Sequence, residues 1–317
     1  MKIFITGISG FVGSGLTEYF QQFENIELYG HSRNYASSRE KFKGIKIKIV
    51  ESYSAESLDL LGINCVVHLA GIAHDLGNKF TSDDYYRVNR DGTKQVFNEF
   101  VNSKVKKFIF LSSIKACVDS STLPVTEDCI ASPTSHYGKS KRMAEEYLLE
   151  QSISDDKSLY IFRPCMIHGK RNKGNLNSLY KYVKSGLPYI FGSYHNERSF
   201  LTLDNLNFII SDFVKNSFPS GVYHLSDDEP LSTNELITII SESLDRSPRI
   251  WNVPTPLIEL PSKIASFIGF PTEKLRQKLT ESLVVSSVKL KSVMTKTLPM
   301  TTKEGMTHTL QSFHNSK

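Results

Sequence analysis

Three polar residues in the first half of the chain have the types and the spacing needed for acid–base chemistry. Ser113 follows a run of apolar residues, and Tyr137 and Lys141 lie four residues apart farther along. Residues with that spacing share one face of an α-helix. A free tyrosine has a pKa of about 10, and a lysine ammonium one turn away, beside a cofactor, is expected to favour the phenolate and lower that pKa. We expect Ser113 to hydrogen-bond a carbonyl oxygen and hold it for hydride attack.

A glycine-rich segment at the start of the chain predicts the partner for that chemistry. Gly7, Gly10 and Gly13 lie between an apolar strand and an amphipathic helix, in the run Thr6-Gly-Ile-Ser-Gly-Phe-Val-Gly. Glycines at this spacing let the backbone turn tightly, approach a pyrophosphate and pack the helix against the sheet. The helix N-terminus adds free N–H groups and the positive end of its dipole. This context favours a dinucleotide-binding loop over an ordinary glycine-rich turn.

The end of the second predicted strand distinguishes NAD from NADP. NAD sites place an acid there for the ribose 2′-hydroxyl, and NADP sites place a cation for the 2′-phosphate. The run from Tyr29 to Arg33 contains no acid and ends in the arginine, whereas Glu27 comes earlier, inside the strand. The alternative is that Arg33 is a solvated loop charge. The pattern favours NADP and leaves NAD open.

The elements that would position these residues alternate between strands and helices over the first two-thirds of the chain. Apolar runs predict strands, and amphipathic runs predict the helices between them. The predicted strands are residues 2–6, 26–29, 45–50, 65–69, 108–111 and 159–162, and the predicted helices include 54–61, 83–103 and 137–151. Strands and helices that alternate at this spacing indicate right-handed βαβ units. We therefore predict an α/β protein with a doubly wound, parallel Rossmann sheet.

Beyond Pro164 the alternation loosens. One more strand is predicted at residues 221–225, and Ser232-Thr-Asn-Glu235 forms a capping box that opens a helix. Prolines divide the remainder into short segments. We expect a dinucleotide-binding Rossmann domain over residues 1–165 and a smaller C-terminal, substrate-binding lobe over residues 166–317, with some of its segments returning to the sheet domain.

The composition excludes several classes of protein. The chain of 317 residues is 39% hydrophobic and 22% charged, which is enough apolar content for a sizeable core and unlike a disordered protein. The net charge of +5 is too small for a duplex-binding protein but suits an enzyme that handles phosphorylated ligands. The sequence has no apolar run of the ~18 residues that a membrane span needs.

Cysteine usage and the first residues predict a location. The four cysteines form no C-x-x-C pair and stand at positions 65, 117, 129 and 165. Such scattered cysteines predict free thiols in a reducing cytoplasm. The start of the chain runs straight into a strand and glycines, unlike a signal peptide. His68 and His74 have no further ligands beside them in the sequence, so no metal is expected.

Together these motifs resemble the extended short-chain dehydrogenase/reductase family. The chain carries, in the order of that family, T-G-x-x-G-F-x-G at 6–13, His68-Leu-Ala-Gly71, Val88-Asn-Arg-Asp-Gly-Thr93, Ser112-Ser113, Tyr137-Gly-Lys-Ser-Lys141 and Arg163-Pro164. The resemblance implies that Ser113, Tyr137 and Lys141 are the catalytic residues. It also implies that Asn89 is a structural residue or a neighbour of the catalytic groups, and that His68 is a strand-end residue.

The same resemblance gives a set of cofactor contacts. Arg33 is expected at the ribose 2′-phosphate, and Lys141 at the nicotinamide ribose. The full expected set is Gly7, Ser9, Gly10, Phe11, Val12, Gly13, Arg33, Leu69, Ala70, Gly71, Tyr137, Lys141 and Pro164. The cofactor is therefore expected to be NADP, with NAD as the alternative.

The C-terminal half resembles the nucleotide-sugar branch of the family. Residues 196–206 are similar to the stretch in which those members carry a diphosphate-binding arginine, here Arg198. A guanidinium suits two phosphate oxygens, although a surface ion pair with Glu197 or Asp204 is the alternative. Asn175 is expected to meet the nucleotide. With Ser113 and Lys278, these residues make up the expected substrate site.

The run from Phe110 to Lys115 is more similar still to bacterial reductases of UDP-linked 2-acetamido-2,6-dideoxy-4-hexuloses, which serve O-antigen and capsule synthesis. This resemblance implies that NADPH gives hydride to C4 of the sugar. Tyr137 would donate a proton to the developing alkoxide, Lys141 would lower the tyrosine pKa, and Ser113 would position the carbonyl. A homodimer formed through helices 83–103 and 137–151 is also implied.

The chain departs from its relatives at three places, and other functions stay open. His168-Gly169-Lys170 replaces the usual Tyr-Gly-Pro, Lys278 stands where reductases carry arginine, with Arg276 nearby, and Cys117-Val-Asp-Ser lacks the Tyr-Gly of many epimerases. One alternative is a UDP-hexose 4-epimerase with tightly bound NAD. Another is a non-catalytic, cofactor-sensing protein of the same fold. The apolar segment 257–270 is expected to line the C-terminal lobe rather than to meet a membrane surface.

Overall fold

The computed structural model describes residues 1–73, 79–172, 174–258 and 279–314. In these ranges the chain forms nine strands. The strands are β1 Lys2–Thr6, β2 Glu27–His31, β3 Ile47–Val50, β4 Cys65–His68, β5 Lys107–Leu111, β6 Ser158–Pro164, β7 Met166–His168, β8 Phe200–Thr202 and β9 Gly221–Leu225. Seven of them form a parallel sheet in the order β3-β2-β1-β4-β5-β6-β9, and β7 pairs with β8 separately. This order confirms the predicted doubly wound α/β sheet.

Helices cover both faces of the sheet and continue into the C-terminal part. They are α1 Phe11–Phe20, α2 Tyr35–Lys41, α3 Ala55–Leu61, α4 Ser82–Tyr85, α5 Gly92–Asn102, α6 His136–Glu150, α7 Asn175–Lys184, α8 Leu203–Lys215, α9 Thr233–Ser243, α10 Thr255–Ile258, α11 Val288–Val293 and α12 Thr302–His314. A π-helix, Tyr86–Asp91, joins α4 to α5, and a 3₁₀ helix, Ile114–Ala116, follows β5. Among the described helices, none has the length and hydropathy of a membrane span.

The sheet reverses its winding between β1 and β4. Thr6, the last residue of β1, pairs with His31 of β2 on one side and with His68 of β4 on the other. The segments that follow β1 and β4 go to opposite faces of the sheet, so a crevice opens at the carboxyl ends of these strands. Ligand sites of doubly wound sheets lie in this crevice, and the glycine-rich segment begins there.

Alternate residues of the central strands pack into two separate apolar clusters, one on each face of the sheet. Ile3 and Ile5 of β1 pack with Leu16 of α1 on one face. Phe4, between them, packs with Phe97 of α5 on the other. Successive side chains of a strand point to opposite faces, so a strand that is covered on both sides must be apolar at every position. This explains the continuous apolar runs in the sequence.

The C-terminal part adds its own apolar clusters and one strand of the main sheet. Leu176 and Tyr180 of α7 pack with Ile240 of α9 and Leu310 of α12. The strand β9, although it comes from beyond residue 166, pairs with β6 at the edge of the main sheet. The division into residues 1–165 and 166–317 stays a prediction about function, because the chain crosses it.

The expectation of four free thiols is wrong for one pair. Cys117 and Cys129 are joined in a disulfide, with their Cα atoms 6.9 Å apart, whereas Cys65 and Cys165 are free and buried. The chain folds back after Cys117, and the N–H of Ser132, which follows Cys129, donates to the Cys117 carbonyl at 2.7 Å. The two cysteines lie twelve positions apart, so their proximity comes from this fold of the chain and not from a short motif.

Candidate active site

The glycine loop is shaped by close approaches of backbone to backbone. Gly7 has a φ of +71°, and a Cβ on it would lie 2.7 Å from the Ala70 Cα at the end of β4. A Cβ on Gly13 would lie 2.7 Å from the Ile8 Cα, so α1 meets the loop at the distance that only glycine allows. Because its glycines have no side chains, the segment exposes its backbone to the space in front of it. This cradle fits the pyrophosphate of a dinucleotide.

A cavity of about 1230 Å³ extends from this loop along the carboxyl ends of the strands. Most of the predicted cofactor residues line it, namely Gly7, Gly10, Phe11, Val12, Gly13, Leu69, Gly71, Tyr137, Lys141 and Pro164. Three of the predicted residues, Ser9, Ala70 and Arg33, do not line it. Ser9 faces a smaller adjoining cavity of about 370 Å³, and the Ala70 N–H donates to Thr6 Oγ1 at 3.3 Å.

The end of β2 carries no acid. Its last residue is His31, and Arg33 is exposed in the bend that follows. Glu27 is the first residue of the strand, and its carboxylate lies 3.5 Å from Lys48 Nζ, at the opposite end from the crevice. Arg33 lines neither of the two cavities, so its contact with a cofactor stays a prediction, and Glu27 lies at the far end of the strand.

The three predicted catalytic residues come together at the carboxyl end of β5. Ser113 follows the strand and precedes the 3₁₀ helix, and the α6 helix packs so closely on that helix that Gly138 has no room for a Cβ beside the Lys115 carbonyl. Tyr137 and Lys141 lie on the face of α6 that meets the cavity. The side chain of Ser113 lies close enough to the Tyr137 hydroxyl to act on its pKa. The helical spacing thus puts Tyr137 and Lys141 on one face of α6, and the packing of α6 beside the end of β5 brings them close to Ser113.

The pKa of Tyr137 is raised in the structure, whereas the sequence predicted that Lys141 would lower it. Burial raises the pKa of Tyr137, the side chain of Ser113 acts in the opposite direction, and burial has the larger effect. The Lys141 Nζ instead donates to the Leu111 carbonyl at 2.9 Å and lies 4.7 Å from the Phe110 ring centroid. Tyr137 therefore holds its proton near neutral pH. It is arranged as a proton donor.

Lys141 is buried in the wall of the cavity, with 4% of its surface exposed. This burial lowers its pKa to about 8, while the negative charge of Glu145 acts to raise it. An ammonium with a pKa in this range is mostly charged at neutral pH but loses its proton on mild alkalinisation. The lysine is thus sensitive to any change in the charges around it.

Asn89, in the π-helix, holds the segment after β4 against α6. Its side chain accepts from the Ile72 N–H at 2.8 Å and donates to the Ile72 carbonyl at 3.0 Å and to Ser140 Oγ at 3.0 Å. Gly71 lies in between, where a Cβ would come within 3.3 Å of Lys141 Nζ. Asn89 is therefore placed to fix the cofactor-side wall relative to the catalytic helix.

His68 has a structural environment. Its ring nitrogens lie 2.7 Å from Thr6 Oγ1 and 3.0 Å from Thr93 Oγ1, and burial lowers its pKa to about 3. A neutral imidazole with both nitrogens engaged joins β4 to β1 and α5. His74 lies outside the described residues, and within the described ranges His, Cys, Asp and Glu form no group of three that could bind a metal.

Two of the predicted substrate residues, Asn175 and Arg198, line the part of the cavity formed by the C-terminal segments. Asn175 is exposed at the first turn of α7, and Arg198 is half-buried, with its backbone bonded to Leu231 at 3.0 and 2.9 Å. Burial lowers the pKa of Arg198, and the Glu281 carboxylate acts in the opposite direction. Lys278, Arg276, Lys173 and the segment 259–270 lie outside the described residues.

The sequence did not indicate the aromatic residues that line the same cavity as Arg198. Tyr182 comes from α7, Tyr189 and Phe191 from the segment after it, and Trp251 from a loop sixty residues later. Two backbone hydrogen bonds of 2.8 Å, from Tyr189 to Arg249 and from Trp251 to Tyr189, join the segments. Contacts at this separation leave no periodic signal. Tyr85, whose ring centroid lies 6.4 Å from that of Tyr137, was missed for the same reason.

Comparison with known proteins gives a family and a fold. The model of the NAD dependent epimerase/dehydratase family matches residues 3–221. The chain is 28% identical over 321 residues to UDP-glucose 4-epimerase of Vibrio cholerae, covering 98% of this chain and 95% of that protein. It is 29% identical over 328 residues to N-acetyl-alpha-D-glucosaminyl-diphospho-ditrans,octacis-undecaprenol 4-epimerase of Escherichia coli O157:H7, covering 98% and 94%.

Solved structures share the fold at lower identity. The WbmG enzyme of Bordetella bronchiseptica in complex with NAD superposes with a TM-score of 0.77 and 19% identity, covering 100% of this chain and 94% of that one. The UDP-glucuronic acid 4-epimerase from Bacillus cereus in complex with NAD also gives 0.77, with 17% identity and 99% of each chain covered. These matches extend the Rossmann likeness over the whole chain.

Proposed function

The chain belongs to the NAD dependent epimerase/dehydratase family, and we propose that it reduces the C4 ketone of a UDP-linked 2-acetamido-2,6-dideoxy-4-hexulose. The observation that carries the proposal is the meeting of Ser113, Tyr137 and Lys141 at the middle of one cavity. The glycine cradle lies at one end of that cavity and Arg198 at the other. The arrangement suits a cofactor and a sugar nucleotide that meet at the tyrosine. The product would enter bacterial surface polysaccharide synthesis.

The state of Tyr137 is compatible with reduction. A ketoreductase needs a proton donor at the start of its reaction, whereas an epimerase first needs a base that takes the proton of the 4-hydroxyl. Tyrosine is ordinarily protonated near neutral pH and burial raises the pKa of Tyr137 further, so the residue begins in the form that reduction needs. An epimerase would start from the same residue, so the cofactor experiments below decide between the two reactions.

The roles of the residues follow from their positions. A bound reduced nicotinamide supplies the hydride that C4 accepts, and the carbonyl π electrons then move onto the oxygen. Tyr137 gives its hydroxyl proton to that oxygen, which completes the alcohol, and solvent later returns a proton to the phenolate. Ser113 holds the oxygen through a hydrogen bond. Lys141, as an ammonium, stabilises the phenolate that forms.

Arg198 and Asn175 are the proposed contacts to the sugar nucleotide. The Arg198 guanidinium lines the cavity beyond the catalytic residues, and its fork can bind two diphosphate oxygens. Asn175, at the start of α7, would meet the nucleotide from the opposite side. The proposed Lys278 contact rests on the sequence resemblance alone.

We propose NADP as the cofactor, because the end of β2 offers Arg33 and no acid. Replacing Arg33 with alanine should weaken the binding of NADPH about tenfold or more and leave NADH nearly unchanged, since only the 2′-phosphate is lost as a partner. Titration of both cofactors by fluorescence would measure this. Equal losses for the two cofactors would refute the contact and favour NAD.

A second function, UDP-hexose 4-epimerisation, is supported by the relatives of 28% and 29% identity, both of which are 4-epimerases. An epimerase retains its cofactor and returns the hydride, whereas a reductase exchanges cofactor in each cycle. Steady consumption of NADPH with the 4-keto substrate would support the reductase. Purification with tightly bound NAD, together with interconversion of UDP-hexoses when no cofactor is added, would overturn it.

We also propose that the enzyme is a cytoplasmic homodimer formed through the helices of residues 83–103 and 137–151. Met143 and Leu149 of α6 are large apolar side chains that are 39% and 51% exposed. Helix faces of this kind are commonly covered by a partner. Light scattering of the purified protein would test this, and the mass of a single chain would contradict it.

A further inference from the structure

A buried ion pair lies one helical turn beyond Lys141. Glu145 of α6 has no exposed surface, and Arg163 of β6 is 3% exposed. Arg163 Nε donates to Glu145 Oε1 at 3.0 Å, and Arg163 Nη2 donates to Oε2 at 2.7 Å. The two parallel bonds fix the carboxylate in position and orientation.

The same carboxylate accepts a third hydrogen bond from the residue next to the catalytic serine. Ser112 Oγ donates to Glu145 Oε1 at 2.5 Å, and the Ser112 N–H donates to the Phe162 carbonyl at 2.8 Å. Glu145 therefore connects α6, which carries Tyr137 and Lys141, to the turn that carries Ser113. A displacement of this carboxylate would move one part of the site relative to the other.

Glu145 also lies near other ionisable side chains. Arg142 lies 4.0 Å away on the same helix. His224 of β9, 3.4 Å from Arg163 Nη1, has its pKa lowered by burial, and Glu127 accepts from the His224 N–H at 2.8 Å. The Glu145 charge raises the pKa of Lys141 and of Tyr137. For Lys141 this charge opposes the larger effect of burial, and for Tyr137 it adds a small contribution to the effect of burial.

We infer that Glu145 is a positioning residue for the reaction, which holds the Ser112–Ser113 turn against the part of α6 that carries Tyr137 and Lys141. This inference rests on the proposed function for its kinetic consequences but not for the charge effect. Stability alone does not account for the pair, because well-packed apolar residues often replace buried ion pairs without loss. The location accounts for it, because Glu145 lies one helical turn beyond Lys141 and is hydrogen-bonded to the residue before Ser113.

The test compares Glu145→Gln with Glu146→Gln. Glutamine keeps the size of Glu145 and can accept from Ser112, but it removes the charge. Glu146 is its exposed neighbour, which binds Arg142 at 2.8 Å, so it controls for loss of a carboxylate on the same helix. The first readout is the ultraviolet titration of each protein against its own Tyr137→Phe partner, which isolates the phenol of Tyr137 and needs no substrate.

We expect Glu145→Gln to lower the pKa of Lys141, and with it the alkaline limb of kcat, by about one pH unit, and to lower the Tyr137 titration by a smaller amount. The kcat at pH 8 should fall about fivefold, because less of Lys141 is protonated there. Glu146→Gln should change none of these, and Glu145→Asp should restore part of the shift. A folded Glu145→Gln protein with an unchanged titration and an unchanged kcat would overturn the inference. If the titration moves while no variant, nor the unaltered protein, turns over the 4-keto sugar, the inference stands and the proposed substrate fails.

Ser112→Ala provides a test that does not remove a buried charge. It deletes only the hydrogen bond to Glu145, so folding should be retained. We expect kcat to fall about five- to tenfold while KM stays the same, since Ser113 loses its fixed position. An unchanged kcat in a folded Ser112→Ala protein would overturn the positioning role.

Discussion

The two ends of the cavity are built by different means. At the cofactor end, backbone at the ends of β1 and β4 forms the surface, and Gly7 and Gly13 matter because they have no side chains. At the substrate end, side chains such as Arg198 and Tyr189 form the surface, and they come from segments that are far apart in the chain. Local motifs thus produce one end, and long-range packing produces the other.

This difference separates the residues that carry out the reaction, at the cofactor end, from the residues that determine substrate binding, at the other end. The catalytic residues stand on α6 and after β5, rigid elements that belong to the cofactor end. Residues at the opposite end take no part in hydride or proton transfer in this proposal, and they affect substrate binding. We therefore expect changes at the first end to alter kcat or cofactor affinity and changes at the second to alter KM.

The largest expected effect comes from Tyr137→Phe. Loss of the proton donor should lower kcat by about 10²–10⁴-fold, while the cofactor binds as before because the glycine loop is untouched. Steady-state kinetics and a cofactor titration would measure the two quantities. Full turnover in the variant would remove Tyr137 from the mechanism.

Arg198→Gln should act in the opposite way. The loss of a charge-assisted contact to the diphosphate should raise KM about 10- to 100-fold, with a much smaller change in kcat. Initial rates over a range of substrate concentrations separate the two parameters. A fall in kcat with a constant KM would mean that the two ends are not separable in the way described here.

The smallest expected effect is the difference between two alanine substitutions at glycines of positive φ. Gly7 and Gly44 have φ values of +71° and +80°, but a Cβ on Gly44 would meet nothing within 4 Å. Each alanine should cost about 1–2 kcal/mol in the free energy of unfolding from backbone strain. Only Gly7→Ala should also weaken cofactor binding, because its Cβ presses on Ala70. Equal cofactor affinity in both variants would show that the cradle tolerates a side chain.

The cofactor end could be predicted from the sequence because its signals are local. The bounds of β1 and β9 agree with the apolar runs at 2–6 and 221–225, and the glycine spacing located the turn. The helix predicted at 83–103 is present, but it includes the π-helix of residues 86–91. Its extra residue per turn has no signature in the apolar pattern.

The remainder depends on contacts between distant segments. The pairing of β7 with β8 joins Met166 to Phe200, and neither short strand shows alternation long enough to be recognised. The Cys117–Cys129 disulfide and the Glu145–Arg163 pair were missed for a related reason. Each residue is visible in the sequence, but the partner is chosen by the fold.

The measurement that tests the central proposal most directly is the fate of a deuterium label. The protein would be incubated with a UDP-linked 2-acetamido-2,6-dideoxy-4-hexulose and NADPH deuterated at C4 of the nicotinamide, and the product would be read by NMR. The proposal predicts one deuterium at C4 of the sugar for each NADPH consumed. A product without deuterium, or an unconsumed cofactor with UDP-hexoses interconverted, would contradict it.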